Sequence, residues 1–267
     1  MDNEPAHDSG DARPILTRFG TGTARLTLNN PRRKNAISLE MAARIVDFCD
    51  EVERDDTIGA VVVDAVGDYF CSGADTRDLA ASSANASSPE AVARTSAIYE
   101  SFVRVGTLPV PSISVVTGGA VGAGLNLALA TDLMIVTPDA ELDSGFLARG
   151  IHPGGGHLSL LGRAVGWSET IAMAGFGRSL TGKEAADRGL AYACAAAADV
   201  AALVDQLVVA ATADPELTRR VLRSARLELG PPAISWSSAL EVERGVQMWS
   251  MSRKGESSWS SRGPKTE

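Results

Sequence analysis

Apolar and polar positions alternate in short runs near the start of the chain and stretch into helical stripes further along. Residues 15–20 and 23–28 read as two β-strands joined at Thr21-Gly22, a hairpin signal. Asn29-Asn30-Pro31 breaks the pattern. Ser38 then stands as the N-cap of a helix from Leu39 to about Arg54, with Met41, Ile45, Phe48 and Val52 on one face. Ala60-Val61-Val62-Val63 is a continuous apolar run, the pattern of a strand buried on both faces. A glycine-containing loop, residues 67–75, follows it. A polar, alanine-rich stretch at 87–97 passes into a helix that ends before Pro109 and Pro111. Residues 113–116 form a second buried strand. A glycine-rich turn at 118–124, an apolar helix at 125–130 and a third strand at 133–136 come next.

Strand, loop and helix alternate without internal repeats, which predicts an α/β architecture with largely parallel strands over the first two-thirds. From Leu158 onward the pattern is mostly helical. Thr181 caps a helix beginning at Lys183-Glu184, and Asp199 is the expected N-cap of a helix over 200–213. Pro215 opens another, and 234–249 is helix-like. The expected organisation is a disordered tail over 1–14, an α/β core over 15–195, and a helical C-terminal region over 196–267. That last region ends in a polar, serine-rich tail from Ser257.

Composition narrows the function more than the fold. The 267 residues are 45% hydrophobic and 22% charged, with a net charge of −8 at pH 7, so a nucleic-acid binder or a polybasic membrane binder is not expected. Cys49, Cys71 and Cys194 are odd in number and far apart, which argues against a disulfide framework or a cysteine zinc site. The acidic N-terminus lacks an apolar h-region, and the most apolar window, 118–136, carries Asn126 and Asp132. A cytoplasmic protein without a membrane span is the expectation. The chain has no GxSxG, HExxH or Walker A lysine, and Gly119-x-x-Gly122-x-Gly124 reverses the dinucleotide fingerprint. His152 and His157 lie in a glycine-rich turn unsuited to a rigid metal site, so no metal is expected.

What remains is a pair of glycine- and alanine-rich loops, each directly after a buried strand: residues 69–75 and residues 119–124, the second opening onto a helix. Small residues admit a ligand close to the backbone, and unpaired N–H groups at a helix start suit developing negative charge. Two such groups converging on one oxygen would make an oxyanion hole. Taken singly, each loop reads first as a tight strand-to-helix turn.

Five segments taken together resemble the crotonase (enoyl-CoA hydratase/isomerase) superfamily. They are Leu28-Asn29-Asn30-Pro31 with Asn35-Ala36, then Phe70-Cys71-Ser72-Gly73-Ala74-Asp75, then Gly119-Ala120-Val121-Gly122-Ala123-Gly124. Gly150-Ile151-His152-Pro153-Gly154-Gly155 follows, and last Leu180-Thr181-Gly182 with Glu184-Ala185 and Gly189-Leu190. The resemblance runs from about residue 15 to about residue 250. It implies a spiral of ββα repeats with a helical C-terminal region, assembled as a homotrimer or hexamer. It also implies an acyl-CoA thioester as partner, with coenzyme A entering only as part of the substrate and no separate cofactor. By position, the amides of Ala74 and Ala123 would hold an enolate-like oxygen, with Gly73 and Gly122 beside them.

Departures from that pattern bear on the chemistry. The hydratase pattern has a glutamate three residues beyond the second amide donor, and here that position is Asn126. A second glutamate lies four residues before the Gly-x-x-Pro-Gly turn, and that position is Phe146. Asn126 carries no transferable proton and Phe146 neither donates nor accepts one, which removes the basis of conventional water addition. Phe146 reads as an apolar wall of the acyl pocket, and Asn126 as a group orienting a water or a carbonyl. Asp143 and His152 are the replacement candidates for acid–base work. Arg149 would meet an anionic substrate or stand as a solvated cation. Asp75 caps the following helix or sits beside the substrate. Arg77, Arg33 and Lys34 are candidate contacts to the CoA portion or plain surface charges. The expected assignment is an enoyl-CoA hydratase/isomerase-type lyase or isomerase of fatty-acid chemistry. The alternatives are a non-catalytic acyl-CoA binder, and a thioester or C–C bond hydrolase using His152 or Asp143.

Overall fold

A computed structural model describes residues 13–229 and 235–256. All but the last two residues of the expected tail over 1–14, and the serine-rich tail from Ser257, lie outside the described residues. The chain opens with β1 (Ile15–Phe19) and β2 (Thr23–Leu28), an antiparallel hairpin pairing Ile15 with Leu28. Next is α1 (Leu39–Arg54), whose N-cap Ser38 accepts a hydrogen bond from the Met41 amide and whose buried face is Met41, Ile45, Phe48 and Val52. Then follow β3 (Ala60–Ala65), α2 (Thr76–Ser83), α3 (Pro89–Gly106), β4 (Ser112–Val116), β5 (Gly119–Val121) and α4 (Ala123–Ala130). The middle of the chain adds β6 (Leu133–Val136), β7 (Glu141–Asp143), α5 (His157–Ala174), β8 (Leu180–Thr181), α6 (Gly182–Asp187) and β9 (Ala193–Cys194). Three helices close the described chain: α7 (Ala197–Ala213), α8 (Pro215–Leu229) and α9 (Trp236–Lys254).

The main sheet has the order β1-β2-β3-β4-β6-β9, parallel except at the β1 edge. A small second sheet, β5-β7-β8, carries the glycine-rich turn. Strand alternation divides the core in two. Leu26, Leu28, Val61 and Val63 join Met41, Ile45, Phe102, Leu125 and Leu127 in the main apolar cluster under α1, α3 and α4. Val62, Ile113, Val115 and Ile135 face the other way, against Val200, Val204 and Leu207 of α7. The continuous apolar runs are thus strands covered on both sides. The mixed α/β body with a helical C-terminal region is the expected architecture.

Two local differences have physical causes. The helix expected to start after Asp199 begins at Ala197, with Asp199 in its first turn, where a carboxylate favours the positive end of the helix dipole without capping it. The helix expected at 234–249 runs to Lys254. Its start at Ile234 lies outside the described residues.

Candidate active site

The two small-residue loops are hydrogen-bonded to each other. The Cys71 amide donates to the Gly119 carbonyl at 3.2 Å, and the Val121 amide donates to the Cys71 carbonyl at 3.0 Å. Gly124 must be glycine for this approach, since a Cβ there would stand 2.3 Å from the Cys71 carbonyl oxygen. On its other side the first loop bridges to Ile37: the Ile37 amide donates to Gly73 and the Asp75 amide donates to Ile37. Successive amides of an extended segment point to opposite sides, so the N–H of Ala74 turns to the side away from Ile37. Gly73, at φ +102°, brings the chains together; a Cβ on it would lie 3.8 Å from the Ala123 nitrogen. Ala123 is the first residue of α4, and its N-cap Gly122 offers no side-chain partner. Its N–H is one of the donors that a helix leaves unpaired at its start.

Ala74 and Ala123 both line a cavity of about 100 Å³. Gly73, Ala74, Gly122, Ala123 and Asn126 line one side of it, and Ile98, Val121, Phe146 and Ile151 supply apolar wall. Arg94, Arg149 and Asp78 are also on the lining, with Tyr99 and Gln247. Asp78 is the carboxylate among them, and it accepts from the Leu39 amide at the start of α1 (3.3 Å).

Asn126 is buried and held on both sides. Its Nδ2 donates to the Gly154 carbonyl at 2.9 Å, and its Oδ1 lies 2.7 Å from Nδ1 of His157. Because the Gly154 carbonyl only accepts, it fixes which end of the amide is nitrogen. His157 therefore carries its proton on Nδ1, and Nε2 accepts from the Ser144 hydroxyl at 2.8 Å. Burial alone pushes the His157 imidazole down to about 3, so it is neutral at physiological pH. The Ser144–His157–Asn126 order has the connectivity of a nucleophile, base and orienting group. Ser144, however, is buried and absent from the cavity lining, while the Phe146 ring packs edge-on against His157 at 4.9 Å.

The C-terminal helix closes this side of the site. Glu243 of α9 is buried and accepts from the amides of Gly156, His157 and Leu158, taking the place of a cap that α5 lacks. Burial raises its pKa, against the lowering effect of those three amides. Gln247, one turn on, accepts from the Tyr99 hydroxyl, and burial raises the Tyr99 pKa. Ser250 accepts from the His152 amide at 2.8 Å. Phe146 belongs to an apolar cluster with Ala86, Ile151, Met248 and Met251.

Of the candidate residues, the fold brings Gly73, Ala74, Gly122, Ala123, Asn126, Phe146 and Arg149 to the cavity. It places the other six elsewhere. Asp75 is the N-cap of α2, accepting from the Arg77 amide at 2.8 Å and forming ion pairs with Arg33 and Arg77. Burial tends to raise its pKa, but the hydrogen bonds and charges of those arginines hold it below the usual range. Arg33 and Arg77 are thus engaged with Asp75, and Lys34 stacks over the Tyr69 ring, 4.6 Å from its centre. Asp143 accepts from the Gly145 amide and is raised by burial; its strand pairs with β5 rather than reaching the cavity lining. His152 turns its Nδ1 to the Pro153 carbonyl at 2.6 Å. Among the described residues no three metal-ligating side chains cluster, and no helix is long and apolar enough to cross a membrane.

The enoyl-CoA hydratase/isomerase family model matches residues 18–225. A protein named "Probable enoyl-CoA hydratase EchA14" from Mycobacterium tuberculosis is 37% identical over 84% of this chain and 93% of its own length. A 1,2-epoxyphenylacetyl-CoA isomerase from Escherichia coli is 33% identical over 67% of this chain and 68% of its own length. The crystal structure of an enoyl-CoA hydratase/isomerase from Xanthobacter autotrophicus superposes with a TM-score of 0.79 at 28% identity, covering 88% of this chain and 87% of that one. The crystal structure of an enoyl-CoA hydratase from Mycobacterium avium shares the fold, with a TM-score of 0.78 at 23% identity over 91% of this chain and 98% of that one.

Proposed function

This chain belongs to the enoyl-CoA hydratase/isomerase family, and from that premise we propose that its cavity binds an acyl-CoA thioester whose carbonyl oxygen accepts from the amides of Ala74 and Ala123. The carrying observation is the meeting of the two loops, with Gly73 beside Ala123 and with Ala74 and Ala123 both lining one cavity. A thioester oxygen seated there gains negative charge as an enolate develops. Fixed donors in a site shielded from water stabilise that charge more than they stabilise the neutral carbonyl. The apolar wall of Ile98, Phe146 and Ile151 suits the acyl chain.

Conventional hydration of a double bond is not part of this reading. It needs positioned groups that give and take a proton, each worth typically about 10²–10⁴ in rate. Asn126 stands where one family glutamate would be, and Phe146 where the other would be. Asp78, the carboxylate on the lining, is bonded to the Leu39 amide. A non-catalytic acyl-CoA binder is the second reading, favoured by this shortage of acid–base groups. A hydrolase using His152 or Asp143 is less well supported, since neither lines the cavity.

Four measurements separate these readings. Calorimetry with acyl-CoAs of several chain lengths is expected to show micromolar or tighter binding, and no heat with any of them would overturn the proposal. The bound thioester carbonyl stretch is expected to move to lower wavenumber, reporting polarisation. Crotonyl-CoA hydration is expected to run at least about a hundredfold below that of a protein carrying both glutamates; rapid hydration would refute the roles given to Asn126 and Phe146. Exchange of the C2 protons with solvent deuterium would favour the enzyme over the binder.

A further inference from the structure

Two cations of the cavity lining have no counter-charge in the fold. Arg94 of α3 and Arg149 are both exposed, and among the described residues neither guanidinium has an ion-pair or hydrogen-bond partner. Elsewhere Arg104 is matched to Asp50 and Glu53, and Arg226 to Asp132. Asp78, the carboxylate on the lining, is bonded to the Leu39 amide and pairs with neither arginine. Both arginines adjoin the apolar wall. Arg94 precedes Ile98 by one turn of α3, and side chains four apart share a helix face. Arg149 follows Phe146 in a tight turn where the amides of Arg149 and Ile151 both donate to the Phe146 carbonyl, at 3.0 and 3.2 Å. The two segments meet: Val92 of α3 packs against the cluster of Phe146, Ile151 and Met248, and the Thr95 hydroxyl lies 3.9 Å from the Met248 sulfur. Lys254 of α9 donates to the Arg149 carbonyl, and burial, followed by the Arg149 charge, lowers its pKa.

We propose that Arg94 and Arg149 hold a carboxylate at the end of the acyl group remote from the thioester, so that the site favours monothioesters of dicarboxylic acids over plain fatty-acyl thioesters. This rests on the acyl-CoA reading above, which puts the thioester oxygen at Ala74 and Ala123 and the chain along Ile98, Phe146 and Ile151. The arginines adjoin that wall, so a chain lying along it ends near a pair of guanidinium groups. The guanidinium fork matches the two oxygens of a carboxylate, and such charge-assisted hydrogen bonds are roughly twice as strong as neutral ones. The field of the whole protein works the other way. A chain of net charge −8 disfavours one more negative charge, so a preference for the carboxylate has to come from cations at the site itself.

The test compares glutaryl-CoA with pentanoyl-CoA, and adipoyl-CoA with hexanoyl-CoA, by calorimetry at pH 7; each pair differs only in a carboxylate for a methyl group. The wild type is expected to bind the carboxylate-bearing member of at least one pair about tenfold more tightly, the low end for hydrogen bonds to charged groups because both arginines are exposed. That ratio should shrink in about 0.5 M sodium chloride, which screens exposed charges. Arg94→Gln and Arg149→Gln are each expected to cut the ratio by about threefold, and the double variant to bring it to about one. Arg149→Lys, which keeps the charge and loses the fork, should retain part of it. Thermal melts followed by circular dichroism check that each variant is folded. Equal binding within both pairs, or a preference that survives the double change, would overturn the proposal while leaving the acyl-CoA reading in place. Affinity lost by the same factor for both members of a pair, with the ratio intact, would assign the arginines to the CoA phosphates and overturn it as well. If the wild type binds none of the four thioesters, the acyl-CoA reading itself fails, and this inference with it.

Discussion

The Ala123 amide can be deleted with little disturbance to the fold. Ala123 is the first residue of α4, where a helix has no use for its N–H and proline is well tolerated. The residue before a proline is normally confined to extended conformations. Gly122 sits at φ 55°, ψ −117°, the mirror image of such a conformation, which glycine adopts without penalty. Ala123→Pro should therefore fold, with a stability change within about 1 kcal/mol, while removing one of the two proposed donors. A neutral hydrogen bond contributes about 0.5–1.5 kcal/mol net, so thioester binding should weaken by roughly 2–10-fold. For an enolate the lost donor is worth about 2.7–4 kcal/mol, so C2 proton exchange, where present, should fall by about 10²–10³. The proline ring also adds bulk, and an S-alkyl-CoA thioether, which lacks the carbonyl, separates the two effects. Its affinity should be unchanged if the loss is of a donor, and should fall with the thioester's if the loss is steric. Ala123→Pro that binds both analogues like wild type and shifts the thioester stretch equally would refute the donor role of Ala123.

Other consequences can be checked independently. Glu243→Ala strips three amides at the start of α5 of their buried acceptor; it should cost about 2–4 kcal/mol in urea unfolding, and a loss below about 0.5 kcal/mol would contradict the capping role. His157 has a folded pKa of about 3 against 6.5 when exposed, so the unfolded chain binds the extra proton between those values. Its contribution to stability is complete above about pH 6.5 and is lost as pH falls towards 3, at up to about 1.4 kcal/mol per pH unit; His157→Gln should flatten the melting profile in that window. Trp167 in the C-terminal half of α5 and Phe176 just beyond its end are 80% and 82% exposed, and the homotrimer or hexamer that the family resemblance implies would cover them. Trp167→Glu with Phe176→Glu should lower the mass seen by sedimentation, whereas a monomeric wild type would refute the assembly.

How much of this could be read from the chain depends on the range of the interaction. Helix α1 was legible because everything that defines it is local: Ser38 as cap and an apolar face repeating every three to four residues. The strands β3 and β4 were legible because apolar runs of that length between turns have few other uses. The small sheet β5-β7-β8 was not legible. Its three-residue and two-residue strands have no pattern of their own, and they exist because the glycine turn brings Gly119 beside Glu141. Helix α7 starts three residues before the sequence suggests, because Asp199 resembles a cap and the alanines before it carry no boundary signal.

The same distinction explains the site. Gly73, Ala74, Gly122 and Ala123 are recognisable because close backbone approach demands small residues, and that demand is written into the sequence itself. The charged candidates divided by a rule the sequence does not contain, namely which of them find partners in the fold. Asp75 takes Arg33 and Arg77 with it into a cap and two ion pairs, and no spacing along the chain distinguishes that from a trio facing a substrate. Glu243 and Gln247 could have been suspected. Ala239, Glu243, Gln247 and Met251 recur every four residues as the buried face of α9, and two polar side chains on an apolar stripe require partners elsewhere. Those partners, the amides of α5 and the Tyr99 hydroxyl, lie some 80 to 150 residues away in sequence. His157 was the hardest to find, because a histidine in a glycine-rich turn has no chemistry until Asn126 and Ser144 are folded onto its two nitrogens. Once they are, Asn126 is an amide oriented from both ends, by the Gly154 carbonyl and by the Nδ1–H of His157, and neither contact is local in sequence.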